Sequence, residues 1–223
     1  MALTVTTLAA ASARAASVPE ISASVAPSEL VYGATLSVAG RVVAGGQGVG
    51  GAPLALQASP YPYRSFATVA RAASAPDGSF TFARVRPDRN TRLRVVEEGT
   101  PAVIGEALSV IVDPSVLVKA SELGPGRTRL SLRASHTPKQ RSPSVSAWWF
   151  VAARGTRTFR LAAVTPTREL APGITYASAT IDPPSKRFAY RVCMNPAWED
   201  AMGAAAAHHR CPERDFTVSH NVL

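Results

Sequence analysis

Pro76-Asp77-Gly78-Ser79-Phe80-Thr81-Phe82 is a turn signal that runs directly into an alternating apolar strand. Asp-Gly supplies the left-handed backbone of a tight turn, and Phe80 and Phe82 then point to one face because strand side chains alternate with a period of two. Working outward, similar runs predict strands over 21–25, 35–43, 54–59, 66–72, 79–85, 91–97 and 105–112. Short strands separated by Gly, Pro, Asp and Asn specify a β-sandwich. Leu36, Val38, Gly40 and Val42 share one parity, as do Leu54, Leu56 and Ala58, so each strand offers one apolar face to a common core. Helical spacing is absent.

Val112-Asp113-Pro114 marks a junction, because proline interrupts the ladder between two strand-rich halves. The reading is therefore two domains, 17–113 and 114–223. The second repeats the style over 116–122, 127–133, 144–152, 159–165, 174–181, 186–194 and 216–218. Leu130 and Leu132 between Arg129, Ser131 and Arg133 give the clearest alternation, apolar inward and polar outward. The run 144–152 differs, with Val145, Ala147, Trp149 and Val151 on one parity and Trp148 and Phe150 on the other. Apolar groups on both faces predict a central strand whose outer side is covered, by the first domain or by a late loop.

A chain of 223 residues with 46% hydrophobic and 17% charged residues has the composition of a folded protein and can bury two cores. Residues 1–16, a short apolar stretch and an Ala run ending in Ala13-Arg14-Ala15, fit a signal peptide with a small-x-small cleavage site, although no Lys or Arg precedes the apolar part. A disordered tail is the alternative. Export places the chain outside the cell or at its surface. No later stretch approaches the roughly 18 uninterrupted apolar residues of a membrane span.

The residues Tyr32 to Val42, Gly51-Ala52-Pro53-Leu54-Ala55-Leu56-Gln57, Asp77-Gly78-Ser79-Phe80 and Pro87 to Val95 resemble bacterial immunoglobulin-like domains of exported envelope proteins. They also resemble the prealbumin-like modules called carboxypeptidase-regulatory-like domains. The match covers about residues 18–113. The resemblance implies an immunoglobulin-like sandwich for that half, a secreted setting and a non-catalytic adhesive or spacer role; with the strand pattern of the second half, the fold class expected is all-β, two tandem antiparallel β-sandwich (immunoglobulin-like) domains. In the second domain only Leu170-Ala171-Pro172-Gly173-Ile174-Thr175-Tyr176 is similar to a family, as a strand entry of fibronectin type III domains.

Cys193 and Cys211 are the only cysteines, and an even number in an exported chain favours a disulfide between the sixth and last strands of the second domain. One continuous helix from Pro196 to Arg210 would be about 20 Å long, whereas disulfide Cα atoms lie within about 7 Å. The expectation is a short helix ending near Gly203, with the chain then returning to Cys193. No C-x-x-C spacing supports redox or metal chemistry, and His208 and His209 are adjacent, so their side chains diverge. Gly46-Gln47-Gly48-Val49-Gly50-Gly51 matches G-x-G-x-x-G but precedes a strand, which makes it a hairpin loop and not a phosphate cradle. No nucleophile with a base can be nominated. The sequence thus assigns no catalytic residue, no cofactor and no metal ligand.

Charge divides unevenly. Residues 17–113 carry eight Arg and eight acids, whereas 114–223 carry fifteen Arg or Lys against seven acids. Such an excess attracts anionic glycopolymers, lipid headgroups or nucleic acid through long-range fields. Nucleic acid is set aside because no recognised module or basic helix is present. The candidate surface is Trp148, Tyr61 and Tyr63 as stacking platforms with Arg129 and Arg133. The function expected is adhesion, spacing or binding at the cell envelope without catalysis. The alternative is a carbohydrate- or anionic-polymer-binding module built on the basic second domain, so the partner is an envelope glycopolymer or another protein.

Overall fold

The computed structural model describes residues 17–99, 103–138, 146–156, 158–194 and 213–217, and they are all β with no helix. The proposed signal peptide and the 195–210 turn lie outside the described residues.

In the first half, one sheet comprises β1 (Glu20–Ala26), β3 (Leu36–Ala44), the two-residue arm β4 (Gln47–Gly48) and β7 (Ser79–Val85). The facing sheet runs in the order β2 (Glu29–Val31), β9 (Leu108–Asp113), β8 (Thr91–Glu97), β5 (Pro53–Pro60) and β6 (Ala67–Ala73). All pairs are antiparallel except β2 with β9. The inward-facing residues Leu36, Val38, Val42, Leu54, Leu56, Phe80, Phe82, Leu93 and Val95 form one buried cluster, as their parity predicts. The Asp77-Gly78 turn does not close a hairpin within a sheet. It carries the chain from β6 on one sheet to β7 on the other.

That turn is held from several sides. Asp77 Oδ1 accepts from the Ser79 amide at 3.0 Å and from Ser79 Oγ at 2.7 Å, and these bonds hold its carboxyl below the usual carboxylate range. Arg41 Nε donates to Asp77 O at 2.8 Å. A Cβ on Gly48 would lie 1.9 Å from Asp77 O, and one on Gly50 would lie 2.8 Å from Pro76 Cα. The G-x-G-x-x-G stretch is therefore packed backbone to backbone against the 76–78 turn. Its glycines answer a steric demand, not a phosphate.

In the second half, one sheet runs β10 (Ser115–Gly124), β11 (Arg127–Ser135), β15 (Ile174–Ile181) and β14 (Arg168–Ala171). The other runs β13 (Arg160–Pro166), β12 (Ser146–Ala153), β16 (Arg187–Met194) and β17 (Glu213–Thr217). Leu130, Leu132, Trp149, Val151, Phe188, Tyr190 and Val192 fill the space between them. Trp149 is buried with its indole N–H donating to Thr165 Oγ1 at 2.7 Å, which satisfies its one polar atom.

Two expectations need correction. Short strands β2, β4 and β14 were not expected, because two to four residues are too few for a periodic signal. The outer side of β12 is not covered, since Trp148 keeps 42% of its surface exposed. The strand is central because β13 and β16 flank it, and edge-to-edge pairing needs no cover over the face.

Candidate binding surfaces

The outward residues of β11 are Arg129, Ser131 and Arg133, opposite the parity of buried Leu130 and Leu132. Register then decides which strands place neighbours beside them. Arg133 pairs with Leu117 on β10 and with Tyr176 on β15, and Tyr176 pairs in turn with Arg168 on β14. The next rows are Lys119–Ser131–Ser178 and Ser121–Arg129–Thr180. Directly opposed side chains lie within about 5.5 Å of each other, so four cations share one face with a tyrosine and a set of hydroxyls. Arg168 stacks over the Tyr176 ring at 5.4 Å. The acids of the described part of this sheet, Glu122 and Glu169, occupy the opposite parity, paired with Thr128 and Thr175.

The outer face of the β13-β12-β16 sheet is different in kind. Trp148 pairs with Val164 and with Cys193, and Phe150 with Leu161 and Arg191. Val164 and Leu161 are 51% and 52% exposed, while Arg191 lies 4.3 Å over the Phe159 ring. This face is apolar, and it lies on the far side of the core from Arg129 and Arg133. Cys193 is described on β16, but Cys211 lies outside the described residues.

Tyr61 and Tyr63 belong to the first half, in the loop after β5. Their rings meet edge to face at 5.6 Å, and Arg92 lies over Tyr63 at 4.7 Å. Burial pushes the Tyr63 phenol up, with Arg92 opposing the shift and Tyr61 adding to it. Both rings are half-buried in contacts within the chain. The five residues singled out in the sequence therefore do not form one surface. Arg129 and Arg133 share a face, Trp148 occupies the opposite face of that sandwich, and the tyrosines sit in the other sandwich.

Sequence reasoning missed Tyr176, Arg168 and Lys119 as companions of Arg133 and Arg129. Their signal is the outward parity on neighbouring strands, which becomes useful only when the register is known.

No family model matches the chain, and none of the curated proteins matches it. Among solved structures, red sea bream transglutaminase is similar at 10% identity and a TM-score of 0.39, over 91% of this chain and 32% of that one. Salmonella alpha-2-macroglobulin reacted with methylamine is similar at 8% identity and a TM-score of 0.33, over 90% of this chain and 14% of that one. Escherichia coli alpha-2-macroglobulin activated by porcine elastase gives 10% identity and a TM-score of 0.37, over 91% and 22%. The chain thus spans a third or less of the length of each. The described residues contain no cluster of three His, Cys, Asp or Glu side chains and no helix long and apolar enough to cross a membrane.

Proposed function

We propose that this chain is a non-catalytic, exported immunoglobulin-like protein that binds an anionic glycopolymer at the cell envelope. One observation carries the reading: Lys119, Arg129, Arg133 and Arg168 lie on a single sheet face with Tyr176 and the hydroxyls of Ser121, Ser131, Ser178 and Thr180. A flat array of like charges on a rigid sheet attracts a repeating polyanion, and each arginine offers a planar fork of donors to a carboxylate or phosphate. Tyr176 supplies an amphipathic ring against which a sugar can lie. The resemblance of residues 18–113 to exported envelope modules supports the setting, with the first sandwich, close to neutral, as the spacer.

Titration of the full chain with poly(glycerol phosphate), with neutral dextran as the comparison, tests the reading. Saturable binding is expected that weakens steeply with added salt, as screening requires. Arg129→Ser combined with Arg133→Ser should weaken it about tenfold or more, whereas Arg160→Ser on the other sheet should leave it nearly unchanged. Equal binding of dextran, or equal loss with Arg160→Ser, would overturn the proposal.

A further inference from the structure

We infer that the first sandwich holds a single-chain amphiphile with an anionic head group in the cleft between β6 and β7. These are the free edges of the two facing sheets. Each is bulged where it faces the other: the β5–β6 register slips at Leu56/Gln57, leaving Val69 as the extra residue, and the β3–β7 register slips between Leu36 and Val38. Bulges bend a strand and interrupt its ladder. Here they spread the sheets apart and leave a cavity of about 640 Å³ that opens to solvent. Its volume lies within the range of about 300–1,000 Å³ usual for small-molecule sites.

The lining states the ligand's chemistry. Val69 and Ala70 from β6, Ala83 and Val85 from β7 and Leu93 from β8 give apolar walls. Val69 is 54% exposed, as expected of a wall that awaits a partner. Arg84 and Arg86 also line the cavity, are exposed, and have no hydrogen-bond or ion-pair partner among the described residues. Asp88 is the single acid of the lining, and it is engaged with Arg89 at 3.3 Å and with Thr137 Oγ1 at 3.3 Å. An apolar cleft with two uncommitted guanidinium groups fits a hydrocarbon tail carrying a carboxylate or a sulfate.

The backbone favours this occupant over an added peptide strand. A strand docking on β6 or β7 needs an unbroken row of amides, and both edges are interrupted at the cleft. Arg84 itself has φ of 56°, a left-handed conformation in which glycine would be unstrained. A side chain kept in that conformation at the rim of a cavity has its use in the side chain.

Dodecanoate, titrated below its micellar concentration into the full chain and followed by calorimetry, should bind saturably at one molecule per chain. Butyrate should not bind, because it has no tail to bury. Dodecyltrimethylammonium should bind about tenfold or more weakly, because its head group carries the wrong sign. Arg84→Gly with Arg86→Gln should lower dodecanoate affinity by a similar factor while Arg84→Gly alone raises the melting temperature. Val69→Trp, which narrows the mouth at an exposed position, should also weaken binding. Non-saturable uptake, equal affinity for the cationic amphiphile, or undiminished binding by the arginine variants would overturn the inference.

Discussion

Gly40 shows how a single position ties the opening motif to the core. It stands opposite Phe80 in the β3–β7 ladder, and a Cβ there would lie 2.0 Å from Ser22 O and 2.6 Å from Phe80 Cζ. The missing side chain lets the Phe80 ring cover the strand and meet Phe82 at a centroid distance of 5.9 Å. Gly40→Ala should destabilise the first sandwich by about 1–3 kcal/mol in urea unfolding, the usual cost of overpacking. His136 is a second such position. Its Nδ1–H donates to Thr137 O at 3.0 Å, so Nε2 is the acceptor for Thr175 Oγ1 at 3.3 Å, and the ring is buried. Burial pushes its pKa down, opposed by the Thr137 carbonyl and by Glu169. Below the ordinary imidazole value of about 6.5, the unfolded chain takes up a proton that the folded chain resists. Stability should therefore be full above that pH and fall as pH drops through the window toward the lowered folded value. His136→Gln should flatten this part of a stability–pH profile. Asp77 works in a lower window: its carboxyl is held down, so its contribution is present above about pH 4 and is lost as pH falls through its folded value.

At the scale of elements, the strands were legible where alternation ran for five or more residues. Leu130 and Leu132 between polar neighbours located β11, and Phe80 and Phe82 located β7. Partners were not legible, because a strand's neighbours depend on register and on which sheet it joins. The basic excess of the second half was plain from counting, yet the row Arg133–Tyr176–Arg168 draws on three strands and could not be read along the chain. The cleft between β6 and β7 depends on two bulges that carry no motif. Register also sharpens the expected disulfide. The β16–β17 ladder pairs Arg187 with Thr217 and Arg191 with Glu213, and an antiparallel ladder continued in that register would oppose Cys193 to Cys211. Directly opposed residues have Cα atoms about 4.5–5.5 Å apart, within the range a disulfide spans. Peptide mapping without reductant should recover Cys193 joined to Cys211. Replacing both by Ser should lower stability by about 3 kcal/mol, an effect that reductant reproduces in the native chain.

For the whole molecule, the arrangement of the cores predicts how it unfolds. One buried cluster draws its residues from Leu30 to Val112 and the other from Val118 to Val192, and neither contains a residue of the other half. The chain passes from one to the other through Pro114, which has no amide hydrogen to extend a ladder, and Thr137 Oγ1 donates to Asp88 Oδ2 across the junction at 3.3 Å. A hydrogen bond to a carboxylate contributes about 1.5–3 kcal/mol, less than an apolar core does, and the two cores share no residue. Leu54 and Leu130 are fully buried, one in each cluster. Truncating either to Ala should cost about 2–5 kcal/mol, and costs at distant sites add. Scanning calorimetry of the full chain should therefore resolve two transitions, with Leu54→Ala lowering one and Leu130→Ala the other. A single transition moved equally by both substitutions would mean that the two cores unfold as one unit.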